Sequence, residues 1–264
     1  AKSVAERPAP NAQPALAPGG DVYAWLVPAG GPAPLWNIYI RRLTGDSSVP
    51  LKPEKAPHGF GGIYIGYRGK LIVTVTPIGY WQTGHGRHRY TFWDLKGRAL
   101  KSVIRPTYET GIMAVDGSSF LLLGDKEAAA YSPRGEPLWR LEGGYRNGAI
   151  AKEGKLALLN PSSRKHISQV HVFNGSENPA VVDMPAPVHH LVLAPDGSAA
   201  VSCSEGSYFF LDPARVQYKA GRRLRFDAKL FISELKFVDP DTLAIGALQR
   251  KDDPPRHDWR SGIL

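Results

Sequence analysis

A unit of about forty residues recurs along this chain, and that recurrence restricts the fold more than any other feature of its 264 residues. It shows first in five tight turns, Arg68-Gly69-Lys70, Asp116-Gly117-Ser118, Glu153-Gly154-Lys155, Asp196-Gly197-Ser198 and Pro240-Asp241-Thr242, whose central residues lie 48, 37, 43 and 44 positions apart. Asp-Gly and related pairs supply the positive φ that short antiparallel hairpins need. A short apolar run follows each turn, at 71–75, 120–123, 156–159, 200–203 and 243–245. Runs of this length bounded by turns suit strands buried on both faces. An aromatic segment and a polar turn come next, as in Tyr90-Thr91-Phe92-Trp93-Asp94 before Gly97, and 137–141 (PLWRL) closes one unit.

Four strands in meander order per unit is the pattern of a β-propeller blade, a sheet buried between its neighbours. The segment 188–204 (VHHLVLAPDGSAAVSCS) resembles the first half of a WD-type repeat, and 131–141 (YSPRGEPLWRL) resembles the closing half of a quinoprotein-type repeat. The resemblance spans about residues 22–250 and implies an all-β fold, a β-propeller of four-stranded antiparallel blades. Five or six blades are expected, seven being the less favoured count. One blade shared between the two chain ends would give five, and separate N- and C-terminal blades would give six. The departures leave the subfamily open. Trp93-Asp94 is the only Trp-Asp pair, and Gly84-His85 is too close to it for a WD repeat.

Composition fits this reading. The 28 Gly and 23 Pro suit many strands joined by turns. No run of about 18 apolar residues is present, so no transmembrane segment is expected. Residues 1–20 (AKSVAERPAPNAQPALAPGG) lack a hydrophobic period and read as an extended Ala/Pro-rich tether, with the propeller domain over 21–264. A start at Ala1 without Met is expected of a processed or excised chain, and the tether suggests an extracytoplasmic place, periplasmic or on the cell surface. Cys203 lies alone in an apolar run and reads as a small buried hydrophobe.

Function is expected on one end of the blades. The turns between a blade's first and second strands are short, whereas the connections between its second and third (b–c) are long, and loops on a rigid scaffold are where binding groups concentrate. Residues 77–89 carry Tyr80, Trp81, His85, Arg87, His88 and Arg89; 160–169 carry Arg164, Lys165 and His166; 249–260 carry Arg256, His257 and Trp259. Trp and Arg dominate interface hot spots. The plainer reading of the same loops is a solvated rim whose aromatics pack on the scaffold. His189-His190, adjacent on a strand, are expected to point to opposite faces, one of them structural.

No Gly-x-Ser-x-Gly elbow, phosphate loop or dinucleotide fingerprint is present, and His85-x-x-His88 lacks the helical spacing of a zinc motif, so no catalytic residue, metal or cofactor is assigned. The leading expectation is a non-enzymatic scaffold or accessory subunit that binds a protein partner through the basic b–c face, in a larger, membrane-associated assembly. A net charge of +9 also suits an anionic membrane surface. The alternative is a propeller enzyme, a hydrolase, lyase or quinoprotein-like oxidoreductase with its site at the axial channel. A polyanion or nucleic-acid binder ranks third.

Overall fold

The structure, a computed structural model, describes residues 15–16, 22–29, 35–42, 48–55, 62–66, 70–78, 86–106, 109–176, 178–203, 207–220, 230–239, 242–250 and 259–263. These form six antiparallel sheets with no α-helix, five of four strands and one of three. The first holds Ala15–Leu16 (β1), Val22–Ala29 (β2), Leu35–Arg42 (β3) and Ser48–Lys55 (β4). The second holds Gly62–Ile65 (β5), Ile72–Ile78 (β6), Arg87–Trp93 (β7) and Ala99–Pro106 (β8). The third holds Thr110–Met113 (β9), Phe120–Leu123 (β10), Glu127–Tyr131 (β11) and Pro137–Glu142 (β12). The fourth holds Tyr145–Ala151 (β13), Leu156–Pro161 (β14), Gln169–Phe173 (β15) and Ala180–Asp183 (β16). The fifth holds Val188–Leu193 (β17), Ala199–Cys203 (β18), Tyr208–Asp212 (β19) and Gln217–Ala220 (β20). The last holds Leu230–Asp239 (β21), Thr242–Arg250 (β22) and Trp259–Ile263 (β23).

Strands follow chain order within every sheet, so each sheet is a meander. The N- and C-terminal strands make separate sheets rather than sharing one. Within the expected tether, Ala15–Leu16 pair with Tyr23 and Ala24 of β2; the rest of 1–20 lies outside the described residues.

Two compact units divide the chain: Ala1–Glu109 with Asp116–Phe120 and Tyr131–Leu138, and Thr110–Val115 with Leu121–Ala130 and Trp139–Leu264. The second unit shows why the apolar runs are continuous. Every residue of β14 is buried, yet its side chains still alternate. Leu156 and Leu158 pack with Leu191, Val201 and Leu211 of the fifth sheet, while Ala157 and Leu159 pack with Leu121, Leu123 and Ala130 of the third. A strand covered on both faces has no polar face to show, and alternation disappears from its sequence. Outer strands behave differently. In β12 and β16 most positions are solvent-facing, with a single buried residue each, Leu141 and Val182.

In the first unit, Val22, Ala24, Ile40, Ile65, Ile72 and Trp93 form one core. Phe120 forms another with the rings of Tyr64, Tyr90 and Phe92, at centroid distances of 5.2, 6.0 and 5.9 Å. Trp93 Nε1 donates to the buried Thr74 Oγ1 at 2.9 Å, which satisfies the one polar atom of that side chain.

The turns follow their side-chain chemistry. Asp116 and Asp196 each accept from the amide two residues on, at 3.0 and 2.8 Å, an arrangement that holds the chain in a reversal. Gly197 follows Asp196 at φ +95°, where a side chain would strain the backbone. The turn after β13 differs from expectation. Its left-handed residues begin at Lys152 (φ +53°) and Glu153 (φ +57°), ahead of Gly154 (φ +84°), and Trp139 Nε1 donates to Gly154 O at 2.6 Å. Non-glycine residues adopt this conformation at a cost, and the tryptophan contact helps to fix it. Of the remaining expected turns, Arg68-Gly69 and Pro240-Asp241 lie outside the described residues.

Candidate functional site

In the fourth and fifth sheets, two neighbouring first strands are irregular at the same place. β13 pairs Tyr145 with Pro161 and Asn147 with Asn160, so Arg146 is an extra residue. β17 pairs Val188 with Cys203 and His190 with Ser202, so His189 is extra as well. A β-bulge of this kind leaves the extra residue outside the ladder and re-aims its side chain. Both Arg146 and His189 are exposed.

The two bulges are tied together. Arg146 Nε donates to Asn160 Oδ1 at 2.6 Å, and Arg146 Nη2 donates to the Val188 carbonyl at 3.0 Å. Asn147 Nδ2 donates to the His189 carbonyl at 2.6 Å. Asn160 is fully buried and works in both directions: its Nδ2 donates to the Ile167 and Gln169 carbonyls at 3.2 and 2.8 Å. That amide therefore fixes the connection between β14 and β15 from below. The connection carries a single 3-10 turn, Arg164–His166, whose three side chains are exposed. Ser162 N donates to Gly144 O at 2.9 Å and closes the frame.

Histidines gather around it. The His171 ring lies 5.7 Å from the Tyr145 ring, edge to face, with Tyr145 Oη 3.5 Å from Nδ1. Burial lowers the His171 pKa, and nearby His166 lowers it further. Burial, then His190 and Arg146, do the same for His189. Both imidazoles thus favour the neutral form. Burial lifts the Cys203 thiol to about 11, which makes it inert rather than nucleophilic. Among the described residues, no group of three or more His, Cys, Asp or Glu is arranged to hold a metal ion, and no helix is long and apolar enough to cross a membrane.

The second sheet carries a different polar group at its own b–c end. Arg105 Nη2 lies 2.8 Å from Glu109 Oε1, and Arg105 Nε reaches both carboxylate oxygens at 3.1 Å. The two side chains are only 10% and 4% exposed. Tyr90 Oη donates to the Glu109 carbonyl at 3.3 Å, and burial, then Glu109, raises the Tyr90 pKa far above its usual value. His88 packs edge-on against Tyr90, with ring centroids 6.2 Å apart, and burial lowers its pKa.

Several residues expected in loops belong to strands. Arg87, His88 and Arg89 open β7, because the ladder with β6 continues out to Ile78–Arg87. Only Arg87 is exposed; His88 and Arg89 are half-buried, with Tyr90 buried behind them. Long basic side chains tolerate such positions by burying the stem and keeping the charge wet. Trp259 likewise opens β23, opposite Arg250. Arg164, Lys165 and His166 do lie on a b–c connection. Tyr80, Trp81, His85, Arg256 and His257 lie outside the described residues.

Sequence reading missed Arg146, Asn147, Asn160, His171, Arg105 and Glu109. It singled out His189-His190 but assumed a regular strand; the bulge instead leaves His189 exposed and His190 half-buried. Asn160, a buried polar residue ending an apolar run, was the one available signal.

No protein-family model matches the chain, and no curated protein matches its sequence. Solved structures do. The acylaminoacyl peptidase of Pyrococcus horikoshii aligns over 96% of this chain and 43% of its own length, with TM-score 0.60 and 14% identity. The β-propeller domain of the Trilobed protease of Pyrococcus furiosus aligns over 90% of this chain and 77% of its own, with TM-score 0.56 and 14% identity. The chain has a β-propeller fold. A eukaryotic initiation factor also aligns, over 96% of this chain and 62% of its own, with TM-score 0.62 and 14% identity. The chain spans about two fifths of the acylaminoacyl peptidases it resembles. At these identities the likeness speaks for the propeller alone, since one fold hosts many activities.

Proposed function

We propose that this propeller is a non-enzymatic binding module that holds a protein partner at the b–c end of its fourth and fifth sheets. The observation that carries this reading is the exposed Arg164–His166 turn, pinned to a buried Asn160. Interface cations contribute most when their backbone is already ordered, because less entropy is lost on binding. Arg164, Lys165 and His166 meet that condition in the second unit. The first unit, taken by itself, presents Arg87 and Arg89 on β7 as a separate basic pair, and the Ala/Pro-rich stretch before β1 suits a tether within an extracytoplasmic assembly.

A second reading is a propeller that serves a peptidase active centre. It draws on the likeness to an acylaminoacyl peptidase and to the β-propeller domain of the Trilobed protease, both peptide-cleaving enzymes by name.

The test is charge reversal, Arg164→Glu with Lys165→Glu, in the tagged full-length chain. The wild type is expected to retain a stoichiometric partner from native extract, released by salt. The variant is expected to lose that partner while its melting temperature stays put, since exposed substitutions usually change stability by less than about 0.5 kcal/mol. Retention of the same partner by the variant would refute the assignment of this face.

A further inference from the structure

The paired bulges produce an arginine of an unusual kind. A guanidinium has five N–H donors. Arg146 commits two of them, both to neutral acceptors, Asn160 Oδ1 and the Val188 carbonyl. Among the described residues no carboxylate is paired with it, and its side chain is exposed. The geometry therefore holds a positive charge still without cancelling it. His189 and His190 on β17 lie close enough to share its field, and the same end of the fourth sheet carries Arg164, Lys165 and His166 on the connection that Asn160 holds. The described acid on the neighbouring β16, Asp183, accepts from Gln169 at 2.9 Å. Tyr145 on β13 and Cys203 on β18 both have raised pKa values and stay neutral. From β21, the apolar Leu235 packs with Ala194 and Ala200.

We propose that Arg146, flanked by His189 and His190, anchors a carboxylate of an acidic peptide segment on the protein partner. This rests on the binding role argued above and names the partner's chemistry. Basic side chains at one end of the fourth sheet, Arg146 on β13 and Arg164 and Lys165 on the connection that Asn160 ties to it, suit several carboxylates along an extended chain better than one compact anion. An anion bound here favours the charged form of His189, which burial, His190 and Arg146 now disfavour. Binding therefore takes up protons, and affinity rises as pH falls through the histidine range.

The test is fluorescence anisotropy of labelled hexaglutamate with the full-length chain at constant ionic strength. If binding raises one imidazole pKa by a unit, affinity at about pH 6 exceeds that at about pH 8 by up to roughly tenfold. Arg146→Gln is expected to weaken binding about tenfold or more at both pH values, the usual effect of losing a charged hydrogen bond. His189→Gln with His190→Gln, at positions that need no refolding of the bulge, is expected to keep the affinity at the higher pH and flatten the dependence. A wild type with no pH dependence, or a histidine variant that keeps it in full, would overturn the proposal. Inorganic phosphate that displaces the peptide at equal or lower concentration would overturn the peptide assignment in favour of a phosphate site. The two readings fail separately. A partner that needs Arg164 and Lys165 while hexaglutamate ignores Arg146 sinks this inference alone. Hexaglutamate binding that needs Arg146, with no partner lost on charge reversal, sinks the broader reading alone.

Discussion

Arg105 and Arg146 both sit at the b–c ends of their blades, yet their environments assign them opposite tasks. Arg105 is buried and meets Glu109 in a bidentate pair with 2.8 and 3.1 Å distances. Its charge is cancelled within the first unit, and Tyr90 caps the Glu109 backbone from the core side. Arg146, in the second unit, is exposed and rests on an amide oxygen and a peptide carbonyl. Two charges drawn out of water must meet each other to repay desolvation, and a pair that does so has nothing left for a ligand. A charge that stays wet costs little, and if its donors are held by neutral acceptors it keeps its attraction for an outside anion. Arginine in a blade is thus structural or available according to what the neighbouring backbone supplies.

The sharpest way to break this contrast is to remove one acid. Glu109→Gln removes the negative charge that faces a buried guanidinium and is expected to cost about 3–5 kcal/mol in urea denaturation, whereas replacing both partners, Arg105→Met with Glu109→Leu, is expected to recover most of that loss. A loss below about 1 kcal/mol for Glu109→Gln would mean that Arg105 reaches water, and the two arginines would no longer differ in kind. The matching change in the second unit is Arg146→Gln. It removes two hydrogen bonds from an exposed side chain, and the expected cost is about 1–2 kcal/mol. A cost equal to that of Glu109→Gln would make Arg146 a structural residue first, with its bulge collapsing when the guanidinium leaves.

Much of the scaffold was legible in the sequence, because burial on two faces writes itself directly into residue type. The runs at 120–123, 156–159 and 200–203 all fall in fully buried strands, β10, β14 and β18. Asp196-Gly197-Ser198 announced its turn through an Asp that caps the reversal and a Gly at φ +95°. The candidate site was less legible. A bulge depends on pairing register, and nothing in Tyr-Arg-Asn-Gly or Val-His-His-Leu says that one residue is extra. Arg105 and Glu109 are four residues apart on a chain that leaves the end of a strand, so their meeting depends on a path that composition does not encode. Basic residues at 87–89 carry the composition of a solvated loop, yet the ladder with β6 runs through them all the same.

Acid provides the finest test of the comparison. His88 in the first unit and His171 and His189 in the second all have pKa values lowered in the folded chain, first of all by burial. The unfolded chain therefore binds more protons than the folded one in this range, so stability is complete above the unfolded value of about 6.5 and declines as pH falls below it. Thermal melts from about pH 8 to about pH 5 should show that decline in the wild type. Substituting His88→Gln should remove part of it whatever ligand is present, since His88 lies against Tyr90 beside a charge that is already cancelled. The part contributed by His171 and His189 should instead shrink when hexaglutamate is added, because a bound carboxylate stabilises their charged forms in the fold. Equal insensitivity of both parts to the peptide would erase the distinction between a closed charge and an open one.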